Sequence, residues 1–286
     1  TYVVDFDLNH QNIKSLEGKG VWQGLEDPVL NLNLDFETFP LRFLSPLGKN
    51  SLTDIRGEVS GAVNLWGPLQ ELKHNGFLNL ENAQLTIPYL NLTYGAEATR
   101  VALRNQEFIF DNSQLNEDFE GTQAQLKGRF FHQNFKDWNL DLEIESDRML
   151  LLNTSQKPES LFFGKGFLNG NLSLSGPTKN LAISMQGTTE KGTSIKIPWA
   201  ESYDLSDIDF ISFIDKTNQS DNPSNESQQN LKEIRGIEMD FELDVTNDAS
   251  IEIVIDQETG SSLSGRGAGN LFMEINTNGK FNMWGD

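Results

Sequence analysis

The sequence predicts an all-β protein, an elongated coiled sheet that is apolar along one face and carries one or two short helices. Three observations predict it. Apolar and polar residues alternate with period two over most of the chain. Helical spacing is confined to one short stretch. One glycine-marked strand pattern recurs at a constant offset. A period of two puts successive side chains on opposite faces, so each such run has one dry face and one wet face.

The elements follow in order. "VLNLNLDF" sets Leu30, Leu32, Leu34 and Phe36 against Asn31, Asn33 and Asp35. In "FPLRFLSPLG", Leu41, Leu44 and Leu47 recur at three-residue spacing between Pro40 and Gly48, which predicts a short helix. "GAVNLWGP" contributes Val63 and Leu65, with Trp66 on the opposite parity, where it would meet the outer surface or cover a turn. "GFLNLENAQL" contributes Leu78 and Leu80. "WNLDLEIES" sets Leu140, Leu142 and Ile144 against Asp141, Glu143 and Glu145, and "GNLSLSGP" presents Leu172 and Leu174. The polar stretch 215–233, "DKTNQSDNPSNESQQNLKE", lacks the apolar content to offset ordering entropy and is expected to be a disordered loop between strands. "IEMDFELDV" then gives Phe241 and Leu243, and "SIEIVID" gives Ile251 and Ile253. "NLFMEINTNGKFNM" gives Leu271, Met273 and Ile275 before an Asn278-Gly279 hairpin signal.

The repeat is the least local of these signals. "GEVSGAVNLWGP" and "GFLNGNLSLSGP" share Gly57/Gly166, Gly61/Gly170, Gly67/Gly176 and Pro68/Pro177 at an offset of 109. "TIPY" at 86–89 and "KIPW" at 196–199 follow at an offset of 110. Glycine within a strand permits close backbone approach and coiling, and Gly-Pro stops the ladder because proline donates no hydrogen bond. The chain is therefore expected to be one elongated domain over 1–286, a fragment of a longer chain, with repeated units near 57–165 and 166–286. Parity separates two faces without saying which is concave, and energetic grounds favour the apolar one. The apolar face either fills a closed core or lines an open trough that needs an apolar occupant.

Charge and composition exclude several functions. Lys and Arg number 22 against 42 Asp and Glu, a net charge of −20. No nucleic-acid partner is expected, because phosphate binding needs a basic footprint. Without cysteine there is no thiol catalysis, thiolate metal site or disulfide, which suits an oxidising compartment. No apolar run approaches the ~20 residues of a membrane helix. The three histidines, His10, His74 and His132, are scattered and are expected at the solvated surface. The carboxylate ladders Asp141/Glu143/Glu145 and Asp240/Glu242/Asp244 share wet strand faces, unlike an acid–base pair, which needs a dry pocket. No catalytic residue, metal or cofactor is expected, and the chain is not expected to be an enzyme.

The string from Gly57 to Tyr94 resembles the C-terminal region of the TamB family of Gram-negative envelope proteins. That family writes G-x-[LV]-x-G-x-[LV]-x-[LV]-x-G-x-[LV], matched here by Gly57, Val59, Gly61, Val63, Leu65, Gly67 and Leu69. Its continuation is matched by Gly76, Leu78, Leu80, Ala83, Leu85, Ile87 and Pro88, and its closing glycine core by Gly265, Gly267, Gly269 and Leu271. The resemblance runs from about residue 29 to the end, short of the family's final strands. It implies a β-taco, a long sheet folded into an open hydrophobic groove, akin to the AsmA-like and bridge-like lipid-transfer group. It further implies a periplasmic segment of an inner-membrane-anchored protein that reaches the outer membrane. The implied partners are phospholipid acyl chains and an Omp85-class barrel, TamA or a lipoprotein relative. The implied roles are phospholipid movement between the membranes or, alternatively, chaperone-like assembly of outer-membrane β-barrels through strand pairing.

Overall fold

The computed structural model describes residues 1–24, 28–48, 51–156, 162–198, 236–256, 260–276 and 281–286. Strands account for 78% of the described residues. The first ten are β1 (Tyr2–His10), β2 (Ile13–Gln23), β3 (Val29–Pro40), β4 (Thr53–Pro68), β5 (Lys73–Ile87), β6 (Leu92–Asn105), β7 (Glu107–Glu117), β8 (Gln123–Gln133), β9 (Lys136–Thr154) and β10 (Phe163–Pro177). Each pairs antiparallel with the next, so they form an uninterrupted meander. The one helical stretch among the described residues falls where three-residue spacing predicts it: a 3-10 turn, Leu41–Leu44, runs into a single α turn, Ser45–Gly48. The dipeptide Asn278-Gly279 and the polar stretch 215–233 lie outside the described residues.

Beyond β10 the strands come in collinear pairs. β11 (Leu181–Thr189) and β12 (Ser194–Pro198) both lie beside β10 as one broken strand. β13 (Ile237–Val245) and β14 (Ser250–Asp256) lie beside them in parallel. β15 (Ser261–Gly265) and β16 (Gly269–Asn276) return antiparallel on β14 and β13, and β17 (Phe281–Gly285) pairs with β16. The breaks are sutured by threonines. Thr193 Oγ1 accepts from the Phe167 N–H at 3.1 Å, while its hydroxyl lies 2.7 Å from the Glu190 carbonyl. The Thr246 N–H donates to Thr189 Oγ1 at 2.9 Å, and the Thr246 hydroxyl donates to the Thr189 carbonyl at 3.0 Å. Backbone groups left over where the ladder stops thus keep partners, as buried amides require.

These breaks belong to a longer line of irregularity. Register shifts interrupt the β3–β4, β4–β5, β7–β8, β8–β9 and β9–β10 ladders. A bulge bends its strand and sharpens the local twist, so repeated bulges curl the whole sheet. Among the described residues β1 and β17 each have a sheet neighbour on one side only, so the sheet is curled and open rather than closed into a barrel.

The offset of 109 recurs in hydrogen bonds. The Glu71 N–H donates to the Pro68 carbonyl, and the Asn180 N–H donates to the Pro177 carbonyl, both at 2.8 Å. The Leu69 N–H reaches the Pro28 carbonyl, and the Thr178 N–H reaches the Trp138 carbonyl. Each Gly-Pro stop therefore ends in the same turn, tied to the preceding strand in the same way.

Candidate hydrophobic groove

Residues directly opposite one another on paired strands share a face. Following such partners across the sheet gives Leu8, Leu16, Phe36, Gly61, Leu78, Val101 and Phe110 on the first seven strands. The row continues through Gly128, Leu142, Leu174, Ile183, Met239 and Ile275. It crosses thirteen strands without a polar side chain. At ~4.8 Å per strand it extends about 58 Å along the sheet. Flanking positions continue the pattern: Leu32 opposite Leu65, Leu34 opposite Val63, Val59 opposite Leu80, Phe130 opposite Leu140 and Leu172 opposite Ile144. Phe241 stands between Met185 and Met273, and Leu243 stands opposite Leu271.

Two glycines keep the row crowded. A Cβ at Gly61 would lie 2.3 Å from the Phe77 carbonyl oxygen, and one at Gly128 would lie 2.1 Å from that of Asp141. Their φ angles are +137° and +123°. Each glycine sits between large groove-face residues, Phe36 and Leu78 around Gly61, and Phe110 and Leu142 around Gly128. Here glycine permits backbones to approach more closely than any side chain would allow.

The apolar face is the concave one. His74 on β5 and His132 on β8 lie on this face, three strands apart, yet their Nε2 atoms are 3.0 Å apart. Three strand spacings amount to ~14 Å in a flat sheet, so the sheet curls towards this side. The Phe108 ring lies between them, with its centroid 4.7 Å from that of His74 and 5.9 Å from that of His132. At the opposite rim, the Tyr94 hydroxyl on β6 donates to the Leu150 carbonyl on β9 at 3.0 Å, and the Asn153 N–H donates to the Leu90 carbonyl at 3.0 Å. Leu92, Leu150 and Phe167 form a packed cluster there, and burial raises the Tyr94 hydroxyl pKa.

The histidines correct the sequence-based expectation of a solvated surface. His74 is 1% exposed and His132 is 3% exposed. Desolvation, with the neighbouring His132 as a second cause, pushes His74 down to about 4, and desolvation lowers His132. Fifty-eight residues separate them, so no local pattern announces the pair. His10 instead bonds Arg42 at 2.7 Å, beside the short helix.

Exposure along the face is uneven. Val101 and Leu103 are 3% and 4% exposed, whereas Leu8 and Met283 are 49% and 47% exposed. Central side chains cover one another, and these two, on the edge strands β1 and β17, face solvent. Ile251 and Ile253 stand apart from the main row. They pair with Ile195 and Ile197 beyond the break between β13 and β14. Val101, Phe108, Phe110, Ile183 and Met185 share the groove face but escaped the sequence reading. In "EFIF" an apolar Ile109 on the outer face hides the alternation of Phe108 and Phe110.

The convex face carries ion pairs beside a short apolar run of Ala62, Phe77, Ala102 and Ile109. Arg129 bridges Glu107 at 2.8 Å and Asp141 at 3.2 Å, and Lys127 meets Glu143 at 3.1 Å. Trp66 lies on this side, opposite Asn31. Among the described residues no group of three or more His, Asp or Glu is placed to hold a metal ion, and no helix is long and apolar enough to cross a membrane.

No curated protein and no solved structure gives a significant match. The family model of the TamB C-terminal domain matches residues 111–286, more than half of the chain. The stretch 57–88 precedes this span, and its 109-residue counterpart lies inside it. The family is a non-enzymatic one of the cell envelope, associated with outer-membrane assembly. A single curled open sheet, apolar within and glycine-marked along its strands, carries a sequence that belongs to the TamB C-terminal domain family.

Proposed function

We propose that this protein is a periplasmic bridge segment whose groove carries phospholipid between the inner and outer membranes in support of outer-membrane biogenesis. The unbroken apolar row across thirteen strands carries this reading. Acyl chains lie along the concave face, each buried CH₂ contributing ~0.8 kcal/mol, while headgroups stay in water at the rim. No bond is made or broken. The units near 57–165 and 166–286 each supply part of the same path. The protein is anchored in the inner membrane outside this segment and meets an Omp85-class barrel, TamA or a lipoprotein relative, at the outer membrane. Val63, Leu65, Leu78, Leu80, Leu140, Leu142, Ile144, Leu172, Leu174, Phe241, Leu243, Leu271, Met273 and Ile275 line the groove. Ile251 and Ile253 extend it past the break.

A second reading rests on the sheet edges. β1 and β17 are flanked on one side only among the described residues, so each offers a backbone ladder to another strand. In that reading the segment acts as a chaperone-like scaffold for outer-membrane barrel strands.

Purification from the periplasm without detergent, followed by native mass spectrometry and lipid extraction, separates the two. The conduit predicts co-purified phospholipid that is lost in Leu174→Arg and Phe241→Arg proteins still folded by circular dichroism. Folded wild-type protein free of lipid would reject the conduit. Proline substitutions in β1 or β17 that abolish outer-membrane assembly while lipid binding persists would favour the scaffold.

A further inference from the structure

His74 opens β5 just after the β4–β5 turn, and His132 precedes the β8–β9 turn. Between them lies the tight β6–β7 turn at Asn105 and Gln106. The two outer turns are bonded across it. Asn134 Nδ2 donates to the Leu69 carbonyl at 2.8 Å, and the Leu72 N–H donates to Asn134 Oδ1 at 3.1 Å. The Asn134 N–H donates to Gln106 Oε1 at 2.8 Å, and the His132 N–H donates to the Gln106 carbonyl at 3.1 Å. The imidazole pair closes this clamp from the groove side.

The hydrogen bonds fix where the protons sit. The Phe135 N–H donates to His132 Nδ1 at 2.9 Å, so that nitrogen carries a lone pair and the His132 proton is on Nε2. His132 Nε2–H then donates to His74 Nε2, and the His74 proton is left on Nδ1, which is buried without a partner. Every basic lone pair in the cluster is therefore already used. A proton on His74 Nε2 would set two N–H groups head to head at 3.0 Å. A proton on His132 Nδ1 would remove the Phe135 bond, which holds a turn whose Asn134 and Phe135 stand at φ +49° and +59°.

Among the described residues no counter-ion compensates. β4 presents Leu65 and β6 presents Asn105 opposite His74, while β7 contributes Phe108, the β8–β9 turn Phe135, and β9 Trp138. The ionisable groups of these elements lie elsewhere. Glu71 and Lys73 pair with each other, Glu107 and Arg129 pair on the convex face, Arg104 lies on that face, and Lys136 and Asp137 are exposed.

We propose that the His74–His132 pair is a proton-operated latch on the groove rim: neutral, it clamps the β4–β5 turn to the β8–β9 turn, and on acidification it releases them and widens the groove mouth above Phe108. The sign follows from desolvation. His74 is lowered to about 4 when buried, against ~6.5 when free. The open form therefore binds more protons, and closure weakens as pH falls from about 6.5 towards 4. His74 alone favours the open form by roughly 70-fold at pH 4.5 relative to pH 7.5.

The chain has no cysteine, so spin labels at Glu71→Cys and Lys136→Cys report the distance between the two turns in the 286-residue protein. The expected result is a short, narrow distance at pH 7.5 that lengthens and broadens by pH 4.5. His74→Phe keeps an aromatic ring without a titrating nitrogen and is expected to stay closed at both pH values. Nitrogen NMR of the unaltered protein adds a readout that needs no variant: an Nδ1–H tautomer for His74, an Nε2–H tautomer for His132, and proton uptake coincident with opening. Proton uptake with an unchanged distance would overturn the latch, as would equal widening in His74→Phe.

Discussion

The β4–β5 hairpin and its counterpart 109 residues later begin alike and continue differently. β4 and β10 both end in Gly-Pro and close the same hydrogen-bonded turn. β5 then turns within Pro88–Asn91 into antiparallel β6, with Ile87 opposite Leu92. The second unit instead rejoins the sheet in parallel, β13 beside β11 and β14 beside β12, after a connection that lies outside the described residues. Parallel neighbours need a crossover rather than a tight turn. The apolar row nevertheless continues, because Ile183, Met185 and Gly187 stand opposite Met239, Phe241 and Leu243. Strand direction is thus free to change so long as register keeps each apolar residue on the concave face.

Glycine replacement makes the strongest test of that comparison. A Cβ at Gly61 meets the Phe77 carbonyl at 2.3 Å, and one at Gly170 meets that of Gln186 at 2.2 Å. Both sites have positive φ, +137° and +153°. Gly61 also stands between Phe36 and Leu78, whereas Gly170 faces Gly187 and Ser146. Gly61→Val is expected to cost about 3 kcal/mol or more, and Gly170→Val less, in urea unfolding. Equal losses would mean that backbone strain alone, and not crowding on the groove face, sets the cost.

The sutures give an intermediate effect. Thr193→Val leaves the buried Phe167 N–H without its acceptor and is expected to cost about 2 kcal/mol. Thr246→Val loses hydrogen bonds to Thr189 in a less buried setting and should cost about 1 kcal/mol. Hydrogen exchange at Phe167 and Thr246 would localise each loss to its own break. On the convex face, Arg129→Ala removes two solvent-exposed ion pairs and is expected to change stability by about 0.5 kcal/mol or less. A larger loss would show that the outer ladder helps to set the curl.

What was legible in the sequence is what a period of two encodes. "VLNLNLDF" and "WNLDLEIES" name their strands and their apolar face because adjacent side chains cannot share a face. The leucine spacing after Pro40 names the only helical stretch among the described residues, and the glycine motifs name the family region. The histidine pair could not be found this way. His74 and His132 are neighbours only because three intervening strand spacings are curled, and curvature accumulates from bulges spread over many ladders. The separation of Ile251 and Ile253 from Phe241 and Leu243 was hidden for a similar reason: "DVTNDAS" marks an interruption, but only its alignment with the Thr189–Thr193 break makes it a fold line across the sheet.

Two faces, their strands and their stops were therefore determined by the sequence alone, since each depends on residues within a few positions of one another. Tertiary structure decided which face is concave, which strand lies parallel, which groove residues are covered and where two buried imidazoles meet. Those outcomes depend on register and curvature summed over the whole sheet, and no short stretch of chain contains that sum.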